Sequence, residues 1–409
     1  MKIITNIPEK SNVPTLKYNN NINNNFNKEF RVVFVGDTTF GDNYIPDYKS
    51  KQIVGFNIIK HYGYDYFFEK IKQGLFDAQL VIANLETPLL DIKNTPRPIF
   101  PFSTRYNSKY GRYQHWSNPQ ITPTYLKKYN ITLVSLENNH MLDYGIEGLS
   151  QTLESLNNNR IRFFGAGFNR KEARKPFIKR ILVGNQNMKL VVFSAFEYRK
   201  GYDKDFDFYA SSSKGGVNRL SFTAITNKIK KLRDDEENIF IVIFPHWSGT
   251  RSYGWKTDSQ TEMGHKLIDA GADLVIGHGP HNLQQIEKYK GRWILYSLGN
   301  FVYNAINKYT RYNAPPYSMI VKLILSDQKI DNILKREDIP NVCVKKNLRI
   351  YAIVTDNIHT KFQPRFVNEM EFEFVYKCLF NGKYSEKPSE DEVKVGRDQL
   401  GRFLELSLD

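Results

Sequence analysis

Five apolar runs of strand type, spread between residues 31 and 281, each end on a carboxylate, an amide or an imidazole. Arg31-Val32-Val33-Phe34-Val35-Gly36 stops at Asp37, and Gln79-Leu80-Val81-Ile82-Ala83 leads into Asn84-Leu85-Glu86. Ile131-Thr132-Leu133-Val134-Ser135-Leu136 delivers Glu137-Asn138-Asn139-His140, and Ile239 to Pro245 delivers His246-Trp247. The last run, Leu274-Val275-Ile276, breaks at Gly277 and presents His278 and His281 around a Gly-Pro spacer. Short, continuous apolar runs bounded by turn residues read as buried strands. In open α/β sheets, ligands bind beyond the carboxyl ends of the strands. The expectation is an α/β protein whose strand ends converge at one rim. Taken alone, His278 and His281 read equally as a solvated loop or as metal ligands. The recurrence along the chain favours a shared site.

Helical spacing fills the intervals. Ile146, Leu149, Leu153 and Leu156 follow Gly145 as one apolar face, and Phe222, Ile225, Ile229 and Leu232 form another. A helix is expected from Thr257 to Ala270, with His265 on it in a structural role, and an aromatic-rich helical segment over His61 to Phe68. Further strands are expected over Arg160 to Gly167, Lys189 to Ala195, Trp293 to Gly299 and Tyr317 to Leu325, the last two closing the second half. Asp91 to Pro123 reads as a long irregular loop bearing Arg97, Arg105 and Arg112, either gripping an anion over the site or solvated. The organisation expected is a disordered, Asn-rich leader over 1–29, a site-bearing domain over 30–326 and an extension over 327–409 that packs on the core. Glu369 to Tyr376 and a charged helix near the end carry no legible chemistry.

Hydrophobic residues make up 41% and charged residues 25% of the 409, which excludes a disordered or membrane-spanning chain. Cys343 and Cys378 are too few for a disulfide framework or a thiolate metal site and read as small buried residues. The net charge of +15 suits an anionic small molecule, an acidic polymer or an anionic membrane surface, but a Lys- and Asn-rich codon bias would give it with no partner at all. With no nucleic-acid motif in view, no nucleic-acid partner is expected. The first residues lack the apolar core of a secretory signal and no run is long enough to span a bilayer, so the expected location is the cytoplasm.

The ordered set Gly36-Asp37, Asn84-Leu85-Glu86-Thr87-Pro88-Leu89, Asn138-Asn139-His140-Met141-Leu142-Asp143-Tyr144-Gly145, His246-Trp247, Gly271 to His281 with Gln284 and Glu287, and Tyr296-Ser297-Leu298-Gly299-Asn300-Phe301 resembles the CapA family. That family is named for poly-γ-glutamate capsule synthesis and is similar in fold to the calcineurin-like metallophosphoesterases. The resemblance covers roughly residues 31 to 304. It implies a metallophosphoesterase-like four-layer sandwich, two mixed sheets flanked by helices, with a metal site at the strand C-terminal ends.

It also implies one or two divalent ions (Mn, Fe or Zn), with Glu86 bridging, Asp37 and His281 on one ion, and Asn139, His246 and His278 on the other. His140 would face the substrate as an acid, with Asp143 fixing its tautomer. Three departures stand out: Thr39 where the wider superfamily carries a histidine, Gly279 where CapA relatives carry a middle histidine, and Ser248 inserted after Trp247. The function expected is a metal-dependent hydrolase, phosphoesterase in type, acting on an anionic substrate through a metal-bound hydroxide. The alternatives are an accessory protein of poly-γ-glutamate synthesis that binds an acidic polymer without turnover, and a metal-dependent amide or peptide hydrolase.

Overall fold

The computed structural model describes residues 29–40, 58–95, 115–235, 238–247, 252–304, 308–329, 342–355, 359–381 and 388–409. Residues 1–28 of the leader expected over 1–29, the arginines 97, 105 and 112, and Ser248 lie outside these residues, while Glu29 opens the first strand instead of ending the leader.

Two mixed sheets form the molecule. The first runs β17 (Val393–Asp398), β18 (Gly401–Ser407), β15 (Val342–Val354), β14 (Tyr317–Lys329), β1 (Glu29–Thr39), β2 (Leu80–Leu85), β3 (Ile131–Ser135) and β4 (Arg162–Phe164). β13 (Asn300–Tyr303) pairs with the end of β1, and β16 (Arg365–Phe366) with β15. The second runs β11 (Ile286–Tyr289), β12 (Arg292–Leu295), β10 (Leu274–Ile276), β9 (Ile239–His246), β7 (Gln186–Phe196) and β6 (Phe177–Val183). A small ribbon pairs β5 (Ala166–Gly167) with β8 (Gly216–Val217). β1 to β4 are parallel, as are β7, β9, β10 and β12, so every strand that carries a candidate site residue points the same way within its sheet.

Strand periodicity makes the layers. In β1, Val32 and Phe34 join Leu80, Ile82 and Leu133 against Leu190, Val242, Phe244 and Ile276 of the second sheet. Val33 and Val35 face the other way, onto the helix Gly145–Asn158 and its neighbours. Val191, Ile241 and Val275 likewise face the helices Phe222–Asp235 and Asp258–Asp269. With both faces covered, a central strand has no polar side to show, which is why these runs are continuous rather than alternating. The result is the four-layer α/β sandwich with two mixed sheets flanked by helices.

Three expectations change. Tyr317–Lys329 joins the first sheet, antiparallel to β1, because β1 needs a partner on each flank and the second sheet is already closed by the β11–β12 hairpin. The charged helix expected near the end is instead the β17–β18 hairpin, turned at Asp398 and Gly401, where Asp398 Oδ1 accepts the Leu400 N–H at 2.8 Å and Gly401 takes a φ of +114°. Ile146 is 43% exposed, so only Leu149, Leu153 and Leu156 of that stripe are core. No helix among the described residues is long and apolar enough to cross a membrane.

Candidate metal centre

Asp37 lies inside β1 rather than just past it, and a register shift aims it. The β1–β2 pairing slips between Val35 and Asp37, and the β1–β13 pairing between Asp37 and Thr38. Such a bulge turns a side chain out of the regular alternation. Gly36 makes it possible: a Cβ there would stand 1.8 Å from the Gly299 carbonyl oxygen, which accepts the Asp37 N–H at 3.0 Å.

Around Asp37 the other strand ends close in. His278 Nδ1 lies 3.5 Å from Oδ1, and His281 Nδ1 lies 3.1 Å from Oδ2. Asn84 Nδ2 donates to Oδ1 at 2.8 Å, and the Gly279 N–H to Oδ2 at 3.2 Å. His246 Nδ1 meets His278 Nδ1 at 3.1 Å, and His246 Nε2 meets Asn139 Oδ1 at 2.8 Å. Glu86 Oε1 is 3.8 Å from His281 Nε2 and 3.9 Å from His140 Nε2. All eight residues singled out in the sequence therefore meet at one rim, since His140 Nδ1 also pairs with Asp143 Oδ2 at 2.8 Å.

Two donor groups form: Asp37, His246 and His278, and Asp37, Glu86 and His281, each with its ligand atoms within 4.8 Å of one another. Asp37 belongs to both. The resemblance gave the shared position to Glu86, which lies in one group only.

Burial sets the electrostatics. It would raise the Asp37 carboxyl, but the imidazoles of His278 and His281 outweigh it and hold the group well below the usual carboxylate range. Glu86 is pushed well above that range, by burial first and then by the charge of Asp37. Burial, reinforced by His278, pulls His246 well below the usual imidazole value. Burial takes His140 down to about 3 and Asp143 up to about 8. These are the conditions of a neutral imidazole beside a carboxyl that retains its proton.

Several contributors were not read from the sequence. Asn84 and Asn138 form a relay, Asn138 Nδ2 donating to Asn84 Oδ1 at 3.0 Å and to the Leu85 carbonyl at 2.8 Å, that holds Asn84 toward Asp37. Both stand in quoted motifs, but only their contacts give them a role. Asn300 Oδ1 and His281 Nδ1 are 3.0 Å apart, and Tyr309 Oη donates to the His281 carbonyl at 2.8 Å. Those bonds hold His281 at a φ of +69°, a conformation costly for a non-glycine residue. Gly279 explains one departure from the family pattern. It sits at a φ of +106°, its amide serves Asp37, and a Cβ would stand 2.9 Å from His246 Cε1.

His115 is the largest omission, hidden in the segment read as an irregular loop. Its ring stacks parallel on His140 with centroids 3.8 Å apart, its Nδ1 is 3.2 Å from the Glu86 carbonyl oxygen, and its backbone N–H donates to Asp143 Oδ2 at 2.6 Å. Burial, then His140, takes its pKa down to about 3, so the stack is one of neutral rings. Replacing a group that orients a residue of a site typically costs 10- to 100-fold in affinity or activity, so for any turnover at this site His115→Ala is expected to lower kcat about 10-fold with KM little changed. His115→Phe keeps the stack and should recover much of that loss in steady-state assays.

A model of the family described as "Bacterial capsule synthesis protein PGA_cap" matches residues 31–305. The capsule biosynthesis protein CapA of Bacillus anthracis is 30% identical over 253 residues, 60% of this chain and 56% of that protein. The PGA biosynthesis protein CapA of Bacillus subtilis (strain 168) is 27% identical over 274 residues, 66% of this chain and 62% of that one. A probable polyglutamine synthesis accessory protein of Mycobacterium tuberculosis is 27% identical over 213 residues, 50% of this chain and 54% of that one. The chain thus spans a little over half the length of the curated relatives it matches. Among solved structures, a phosphatase from Mycoplasma pneumoniae aligns over 84% of this chain and 96% of its own, with 11% identity and a TM-score of 0.35, a likeness too low to carry an argument about chemistry.

Proposed function

The chain belongs to the bacterial capsule synthesis family that its residues 31–305 match, and from that premise we propose a metal-dependent hydrolase that cuts a phosphoester or another polar bond in an anionic substrate. The observation that carries this reading is a single buried carboxylate, Asp37, within reach of two donor groups at once.

The residues fit divalent ions. Glu86 Oε1 is buried without a hydrogen-bond partner, a costly state in a protein interior that a cation held with Asp37 and His281 would relieve. Asp37, His246, His278 and the Asn139 amide oxygen would hold one ion, and Asp37, Glu86 and His281 the other. Mixed nitrogen and oxygen donors without thiolate suit Mn, Fe or Zn. When bound, such ions lower the pKa of a coordinated water and offset charge on the scissile group.

The protein's own groups do the rest. Asn84 and the Gly279 amide orient Asp37, and a shared negative charge reduces repulsion between two cations. The His140–Asp143 pair, held by His115, carries one transferable proton, with His140 Nε2 3.9 Å from Glu86 Oε1, and can deliver it to a leaving group. Protein purified without chelator should contain Mn, Fe or Zn at one to two equivalents by elemental analysis and should hydrolyse an activated phosphodiester or monoester. His246→Ala should lose at least one equivalent of metal together with the turnover. Metal-free, inactive wild-type protein sinks the proposal.

A second reading starts from the printed names of two relatives, a PGA biosynthesis protein and a probable polyglutamine synthesis accessory protein: an accessory role in polymer synthesis, in which this chain binds an acidic polymer without turnover. It predicts polymer binding that persists after Asp37 and Glu86 are both replaced.

A further inference from the structure

Both sheets end on the same side of the molecule. β4 closes the first and β6 the second, each paired on one flank only among the described strands. Between these edges lies a groove of about 710 Å³, lined by Arg160, Arg162, Phe163, Phe168, Lys175 and Phe177 among others. None of the candidate metal ligands lines it.

We infer that this groove is a docking site for an extended acidic peptide chain, α-linked, laid along the two strand edges. The first ground is charge. Arg160, Arg162 and Lys175 are exposed, and none is ion-paired with a carboxylate among the described residues. The lining carboxylate, Glu172, is committed elsewhere: it accepts from the Phe168 N–H at 2.9 Å and from Asn169 Nδ2 at 2.7 Å, fixing the turn into the helix Arg170–Ala173. Crowding of cations continues next to the groove, where burial and then the charges of Arg170 and Arg219 lower the pKa of Arg174. Uncompensated cations on a folded surface raise the local concentration of anions and favour partners of opposite sign.

The second ground is shape and backbone. An edge strand offers peptide groups to an incoming extended chain, which adds as one more strand while pockets take alternate side chains. Phe168, 49% exposed, and Ile178, 42% exposed, supply apolar surface there. The Arg162 guanidinium is held over the Phe177 ring, 4.8 Å from its centroid, so one cation is positioned in advance. A nucleic acid would satisfy the charge and the aromatic rings but has no amide backbone to pair with β4 or β6. This site does not depend on the metal centre, and Asp37→Asn should leave it intact.

The test is fluorescence anisotropy of a fluorescein-labelled α-linked oligoglutamate with the full chain at physiological ionic strength. Arg162→Glu with Lys175→Glu is expected to weaken binding about tenfold or more. Lys228→Glu with Lys231→Glu, on exposed positions of the helix Phe222–Asp235, changes the net charge equally and should leave it within about twofold. Glutamine at positions 162 and 175 serves if the reversed pair does not fold, with a several-fold loss expected. Absence of binding, equal loss from both lysine- and groove-directed pairs, no loss from either, or equally tight binding of a single-stranded oligonucleotide of matched charge each overturns the inference.

Discussion

Asp37→Asn should remove both metal ions at once, where replacing Glu86 or His246 removes one. Asp37 is the member common to the two donor groups, so a single change takes a charged ligand from each. The loss of turnover expected is about 10³-fold or greater, equivalent to roughly 4 kcal/mol of transition-state stabilisation. The fold should survive, because asparagine is nearly isosteric. Its cost is local: Asp37 accepts from Asn84 Nδ2 on one oxygen and from the Gly279 N–H on the other, and an amide can accept on one side only. A buried donor left unsatisfied costs about 1–3 kcal/mol. Elemental analysis alongside thermal unfolding measures both consequences. A variant that keeps one full equivalent of metal would mean that Glu86, not Asp37, is the shared carboxylate.

His140→Ala should keep its metal and lose the proton donor, lowering kcat by about 10²- to 10⁴-fold on a substrate with a poor leaving group. With a nitrophenolate leaving group, which needs no proton, the loss should be far smaller. That contrast separates an acid from a residue that merely fills space. The pH dependence follows from Asp143, raised by burial from 3.8 to about 8. Folded protein therefore holds a proton on Asp143 over a range in which the unfolded chain has released it. The stability linked to this group is complete below the unfolded value of 3.8 and is lost as pH rises through about 8. Wild type should lose stability relative to Asp143→Asn steadily across that window and run parallel to it above. Turnover on the poor leaving group should fall as pH passes about 8, where the pair gives up its proton. Denaturant unfolding and a pH–rate profile on the same two proteins check both statements.

The strands were legible because burial on both faces leaves a mark in one dimension. Val32 to Val35 and Ile239 to Phe244 can be little other than interior strands, and the polar residues at their ends follow from where an α/β sheet exposes its carboxyl rim. The helix expected from Thr257 to Ala270 runs Asp258–Asp269, and its start is set locally, by the capping box that Thr257 and Gln260 form. Partner choice was not legible. That Tyr317–Lys329 lies beside β1 depends on which flank was vacant after the other strands had paired, and hydropathy carries no such information.

Chemistry divides in the same way. The apolar runs alone placed Asp37, Glu86, His140, His246, His278 and His281 near strand ends; grouping them with Asn139 and Asp143, and giving each a role, came from the resemblance to the CapA family. Only the packed chain puts Asp37 in both donor groups, because a one-residue register shift at Gly36 turns its side chain between His278 and His281. Likewise His115 has no apolar run before it, and it enters the site only because its ring finds His140 across 24 residues of intervening chain. Periodicity is a local property set by solvent exposure, and it survives in the sequence; ligation is a matter of a few tenths of an ångström between distant segments, and only folding decides it.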